Sequence, residues 1–231
     1  RVHAPPPSGS LERFRVQAGA LGYDLGRLDG AGSLTRNLAQ YRDAPNSRLL
    51  SMLLLRAMAR AEYRATLAPH FGLGLDSYLH FTSPIRRYPD LVVHRLVKAY
   101  LTQEEPSLPD ELPDIARHVS RRERLILDAE RDITSVYKAL YMRERLGDVM
   151  GAMVTAITAN GAFVVFDGTG CDGFIPVESI KGDWFEANEI HTQLVGERTG
   201  RTITLGDVVR IVVKDVNVRR RQVTAHLSES D

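Results

Sequence analysis

Apolar positions keep a helical rhythm through the first part of the chain and give way to short β-branched runs in the last part. Residues 4–9, Ala-Pro-Pro-Pro-Ser-Gly, read as a connector, because consecutive prolines exclude a helix and favour extended chain. A short helix over residues 11–21 is closed by Gly22. A second runs over residues 33–41, with Asp29, Gly30 and Gly32 in the loop between them. Ser47 is placed to cap a third helix reaching residue 67, in which Leu49, Leu50, Leu53, Leu54 and Ala57 form a core-facing stripe and which Pro69 ends. A loop over residues 70–84 leads into a helix over 88–101, and the proline-broken stretch 104–113 forms a solvated connector. Asp114 then caps a long helix over 115–145, where Val119, Ile126, Ile133, Val136, Tyr137 and Leu140 recur at helical spacing. Such a helix would be about 45 Å long.

Gly147 opens a different texture. Runs at residues 149–158, 162–166, 202–204, 208–216 and 222–227, separated by Gly and Asp turns, predict five short strands and a small barrel. The expected division is a helical domain over 1–145 and a β domain over 146–231, an α+β chain without internal repeats. By the period of two, Ala162, Val164 and Phe166 face one side of their strand and Phe163 and Val165 the other; Phe174 likewise opposes Ile175. If Val164 and Phe166 fill the core, Phe163 and Phe174 are neighbouring surface aromatics on which bases can stack, unless a bulge reverses the faces. Trp184 and Phe185, between strands, read as core caps.

A hydrophobic content of 43% in 231 residues is normal for a chain with a proper core. The single cysteine, Cys171, excludes an internal disulfide framework and a multi-cysteine zinc site, and fits a reducing compartment. No apolar run approaches the roughly 20 residues of a membrane span, and residues 1–10 lack a signal peptide's apolar stretch. A cytoplasmic protein with no membrane association is therefore expected. The formal net charge of +1 says nothing about partners, but all but four of the 30 basic residues are arginine. Arginine's planar fork suits phosphate and base stacking. On composition alone a GC-rich coding sequence is the better explanation, so the arginines must be judged by position.

The densest chemistry is His80-Phe81-Thr82-Ser83-Pro84-Ile85-Arg86-Arg87-Tyr88-Pro89-Asp90-Leu91, followed by Val92-Val93-His94-Arg95. The hydroxyls of Thr82 and Ser83, the guanidinium groups of Arg86 and Arg87 and the phenol of Tyr88 can all reach a phosphodiester, and a loop ahead of a helix also offers backbone N–H groups to an anion. An isolated Arg-Arg pair would instead read as a surface loop whose arginines pair with Asp90 and neighbouring carboxylates. His80 and His94 lack a third ligand at a recognisable spacing for a metal site.

The full string resembles the signature of the ribonuclease II/R exoribonuclease family, a His-Phe-Thr-Ser-Pro-Ile-Arg-Arg-Tyr-Pro-Asp-Leu run followed by His-Arg. Arg1-Val2-His3, Leu21-Gly22-Tyr23, residues 54–63, residues 70–75 and residues 122–132 are similar to the same family's flanking sequence. Asn160-Gly161-Ala162-Phe163-Val164, residues 172–176 and residues 205–209 resemble an S-one type OB-fold, an RNA-binding module. The resemblance implies the mainly helical rear part of an RNB catalytic domain followed by a five-stranded OB-fold barrel. It implies a processive 3′-to-5′ exoribonuclease hydrolysing single-stranded RNA to nucleoside 5′-monophosphates. The alternative is a non-catalytic RNA-binding protein derived from that family.

In this resemblance Arg86 inherits electrostatic stabilisation of the transition state at the scissile phosphate. Glu130 matches a glutamate near the RNA that affects product handling, though an exposed helix glutamate needs no such role. Thr82, Ser83, Arg87 and Tyr88 join Arg86 as RNA contacts, Phe163 and Phe174 as stacking platforms, and Arg219 and Arg220, in the hairpin before the last strand, as backbone-tracking cations. Arg56, Arg60 and Arg64, four residues apart on the expected third helix, form a basic stripe suited to an RNA channel or to plain solvent. The magnesium this family uses is expected to be held by aspartates of an upstream segment: Asp24, Asp29, Asp43 and Asp76 are scattered, and no close Asp spacing focuses oxygens on a cation. The chain alone is expected to be inactive, with the upstream half of the enzyme, covalent or associated, as its partner beside RNA.

Overall fold

The computed structural model describes residues 1–28, 30–44, 46–105 and 110–228. Asp29 of the expected inter-helix loop and residues 106–109 of the expected connector lie outside them. Residues 1–13, 25–42 and 54–129 pack as one compact unit, and residues 14–24, 43–53 and 130–231 as another. Among the described residues five α-helices precede the β-rich part: α1 (Ser8–Ala20), α2 (Ala31–Ala39), α3 (Ser47–Ala57), α4 (Tyr88–Thr102) and α5 (Leu112–Arg143). The long helix begins before Asp114, which lies inside its first turn and pairs with Arg117 instead of capping it.

The third helix stops ten residues short of expectation. Nothing local breaks it, since Met58 N–H still donates to Leu54 O. Beyond that point, tertiary partners take the backbone groups. Strand β2 (Ala61–Glu62) pairs antiparallel with β1 (Val2–His3), joining Val2 to Glu62 and His3 to Ala61. The ring of buried His3 accepts Gly72 N–H at Nδ1 (2.9 Å), so Nε2 carries the proton it donates to Ala59 O (2.7 Å). Ser120 Oγ takes the Tyr63 N–H at 2.8 Å. With the helix ended at Ala57, the expected stripe dissolves: Arg60 and Arg64 are not on α3, and Arg64 pairs with Glu62.

In the second unit five strands close a barrel in the order β10-β5-β4-β3-β9: β3 (Val149–Thr158), β4 (Gly161–Phe166), β5 (Asp172–Pro176), β9 (Val208–Asn217) and β10 (Gln222–Leu227). The run at 202–204 is not one of them. It forms β8 (Thr202–Thr204) in a separate three-stranded sheet with β6 (Phe185–Ala187) and β7 (Gln193–Gly196), while β5 completes the barrel. Closure removes the free edges that an open sheet would leave. The barrel interior holds Val154, Ala162, Val164, Phe166, Ile175, Ile211, Val213 and Ala225, all fully buried. Gly161, at φ 143°, is required where β4 meets β5, because a Cβ there would fall 2.0 Å from Ile175 O.

Candidate nucleic-acid interface

The signature loop is organised by a carboxylate rather than by its arginines. Asp90, in the first turn of α4 and wholly buried, accepts Ser83 N–H and Arg87 Nη2, each at 2.8 Å. Burial opposes its ionisation, yet the Ser83 N–H and the Arg87 guanidinium hold its carboxyl below the ordinary value. Ser83 O accepts the N–H groups of Arg86 (3.2 Å) and Arg87 (3.0 Å), so the chain turns tightly here. Arg87, grouped above with the phosphate ligands, turns inward and commits a nitrogen to Asp90.

Arg86 is left exposed, and among the described residues no hydrogen bond or ion pair occupies its guanidinium. Thr82 and Tyr88 are exposed beside it and Ser83 is half-buried. The two histidines serve the loop's geometry. His94 lies flat on Phe81, ring centroids 4.1 Å apart and 7° between planes, with its Nε2 2.8 Å from Phe81 O. His80 Nδ1 lies 2.9 Å from Tyr63 Oη. Glu130 is exposed on α5, as is Arg56 near the end of α3.

On the barrel, the alternation of β4 runs as the sequence predicts: Ala162, Val164 and Phe166 face inward, and Phe163 is 45% exposed. Register places Phe163 opposite Phe174 on β5, and their rings stand 4.9 Å apart at 53°. Together they present an aromatic platform on the outer wall. Arg219 and Arg220 are exposed in the turn between β9 and β10, while Arg221 pairs with Asp132 at 2.9 Å.

Trp184 and Phe185 part company. Phe185 is buried at the start of β6, but Trp184 is 69% exposed and is no core cap. Its backbone N–H donates to Asp183, whose carboxylate also accepts the Thr199 hydroxyl and the backbone N–H groups of Arg198 and Thr199. Those bonds, the Thr199 hydroxyl foremost, hold the Asp183 carboxyl far below the ordinary carboxylate range. Adjacent bulky rings gave no sequence signal for which one would point out.

Among the described residues no three His, Cys, Asp or Glu side chains converge as a metal site, so they supply no ligand set for the cation implied by the resemblance. No described helix is long and apolar enough to cross a membrane.

Residues 1–103 match the RNB domain family and residues 143–226 the S1 RNA binding domain. The chain is 36% identical to ribonuclease R of Thermotoga maritima over 240 residues, which is 100% of this chain and 34% of that protein. It is 33% identical to ribonuclease R of Escherichia coli over 245 residues, 100% of this chain and 30% of that one. The solved structure of Mycoplasma genitalium RNase R in complex with ribose methylated single-stranded RNA matches with a TM-score of 0.92 at 28% identity, over 99% of this chain and 37% of that one. The chain thus spans about a third of the length of the curated relatives it matches.

Proposed function

Starting from a chain that consists of the C-terminal part of an RNB domain followed by an S1 RNA-binding domain, we propose that it serves 3′-to-5′ exoribonucleolytic breakdown of single-stranded RNA to nucleoside 5′-monophosphates. Arg86 contacts the phosphate at the scissile bond, and the barrel grips the strand behind it. The observation that carries this reading is the division of labour in the signature loop: Asp90 absorbs Arg87 and fixes the backbone, which leaves Arg86 held at a turn with its charge unspent. A guanidinium pre-positioned for charge that develops on phosphate oxygens needs no reorganisation during reaction.

The magnesium chemistry belongs to carboxylates outside the described residues, and the upstream RNB sequence is the partner that brings them. Phe163 and Phe174 supply stacking that tolerates any base, and Arg219 and Arg220 track phosphates. Thr82, Ser83 and Tyr88 flank Arg86 on the RNA.

A second reading is RNA binding without hydrolysis, which the Phe163–Phe174 platform supports without any metal. Magnesium-dependent cleavage of 5′-labelled single-stranded RNA separates the two, measured with this chain alone and combined with upstream RNB sequence. The proposal expects stepwise shortening only in the combination, and a loss of about 10²–10³ in rate with Arg86→Ala, the usual effect of removing one transition-state donor. Binding without cleavage in every combination would leave the second reading standing.

A further inference from the structure

The barrel has a second concave surface that the aromatic platform does not use. A cavity of about 600 Å³ opens beside the outer faces of β9 and β10, bounded also by residues 179–181 and by Arg201 just ahead of β8. Its volume lies within the range of pockets that take small ligands. Neither Phe163 nor Phe174 lines this cavity, although Phe174 lies on β5, which pairs with β10 at Thr224, two residues before His226.

Among the described residues, the chargeable groups lining this cavity are Lys181, Arg201, Lys214 and His226, with hydroxyls from Ser179 and Ser228. A register shift helps to create the arrangement. Thr224 pairs with Asp215 but Ala225 pairs with Val213, so Lys214 is the extra residue of a β-bulge, and such residues are re-aimed relative to the strand's alternation. His226 follows one residue later on β10, half-buried, opposite Val212. Burial, then the Lys214 and Lys181 ammonium groups, lower the His226 pKa, so at neutral pH its imidazole is uncharged and able to accept or donate a hydrogen bond. Arg201 and Lys214 bring two exposed cations to one concavity, and a bound anion lowers their mutual repulsion.

We propose that this cavity binds a phosphate group of the RNA sugar-phosphate backbone, giving the S1 domain a second contact with the strand besides the Phe163–Phe174 platform. The inference rests on the RNA-binding reading above. Phosphate matches the lining in charge, with arginine and lysine donors, and in hydrogen bonding, with the two serine hydroxyls.

The test is fluorescence anisotropy of the full chain with labelled oligoadenylate across a salt series, comparing the unaltered chain, Arg201→Gln/Lys214→Gln and Phe163→Ala. Arg201 and Lys214 are both exposed, so the double variant is expected to fold, and an unchanged urea transition of the barrel followed by Trp184 fluorescence checks it. Each phosphate neutralised on single-stranded nucleic acid contributes roughly 0.7 to the slope of log K against log salt. The double variant should flatten that slope by about 0.7. Phe163→Ala should weaken binding with the slope unchanged. In parallel, the imidazole resonances of His226 are titrated with pH, with and without the oligonucleotide and with inorganic phosphate. RNA should raise the His226 pKa in the unaltered chain and not in the double variant. A slope unaffected by the double substitution overturns the proposal while leaving RNA binding by the platform intact. So does a His226 response to inorganic phosphate but not to RNA, which would identify a free-phosphate site. No RNA binding by the unaltered chain would overturn the RNA-binding reading itself and this inference with it.

Discussion

Asp90→Ala is the perturbation that most directly separates holding the signature loop from touching RNA. The substitution removes an acceptor that serves two donors, the Ser83 N–H and the Arg87 guanidinium, at a site with no solvent access on the carboxylate side. Breaking a buried ion pair from one end costs about 3–5 kcal/mol, chiefly because the remaining charge is stranded. Two features move this case to the low end. Arg87 retains 23% side-chain exposure, so water partly recovers its charge. Asp90 Oδ1 and Arg87 Nε are buried without a hydrogen-bond partner in the structure, so the pair is not fully satisfied to begin with. A loss of about 3 kcal/mol is expected. Because the chain forms two compact units, a single unfolding midpoint is a poor reporter, and the assay is hydrogen exchange at the Ser83 amide. Exchange there should accelerate on the order of 10²-fold, given that 1.4 kcal/mol is a factor of ten and local opening captures most of the loss. The sign of the pH dependence follows from the same bonds. The folded pKa of Asp90 lies below its ordinary 3.8, so its stabilisation is fully present above that value and is lost as pH falls through the folded pKa. Arg86→Ala, exposed and unpaired, should leave Ser83 exchange unchanged within about 0.5 kcal/mol. Equal protection in Asp90→Ala and the unaltered chain would refute the assignment of Asp90 as the residue that holds the loop.

Gly173→Ala should destabilise the barrel by about 1–3 kcal/mol, since an added Cβ would lie 2.2 Å from the buried Phe166 ring at a backbone conformation that itself accepts alanine. Urea unfolding followed by Trp184 fluorescence reads it, and an unshifted midpoint would mean the ring relaxes freely. Phe163→Ala should weaken binding of single-stranded RNA by about 1–3 kcal/mol, the usual worth of one stacked base, while the unfolding midpoint barely moves because the ring is 45% exposed. Arg64→Ala should shift stability by less than about 1 kcal/mol, as its partner Glu62 is itself at the surface, and a larger loss seen in denaturant titration would restore importance to this arginine.

The barrel was largely legible because its rules are local. β-branched runs between glycine and aspartate turns marked the strands, and a period of two alone turned Phe163 outward. The strand at 172–176 was visible only through its resemblance to a known module, since Gly173 and Pro176 dilute the β pattern. The run at 202–204 read as a barrel strand because nothing in three residues says which sheet they join. The end of α3 was illegible for a physical reason: residues 58–67 contain good helix formers and no glycine or proline, and what stops the helix is His3 holding Ala59 O and β1 pairing with residues 61–62. The signature arginines were placed by their string, but only coordinates reveal that Asp90 divides them, one arginine turned in and one left out.

The His3 bridge also sets a schedule for synthesis. Its ring is completed by the Gly72 amide, 69 residues further along the chain. At a translation rate of about 5–20 residues per second, a nascent chain waits roughly 3–14 seconds between making the first half of this contact and making the second. For most of that interval Val2 and His3, both buried in the finished protein, have no docking site, since Ala61 and Glu62 are made only near its end. The N-terminal strand therefore docks in two stages: the β1–β2 ladder can close once Ala61 and Glu62 have been made, and the His3 bridge only after Gly72 follows.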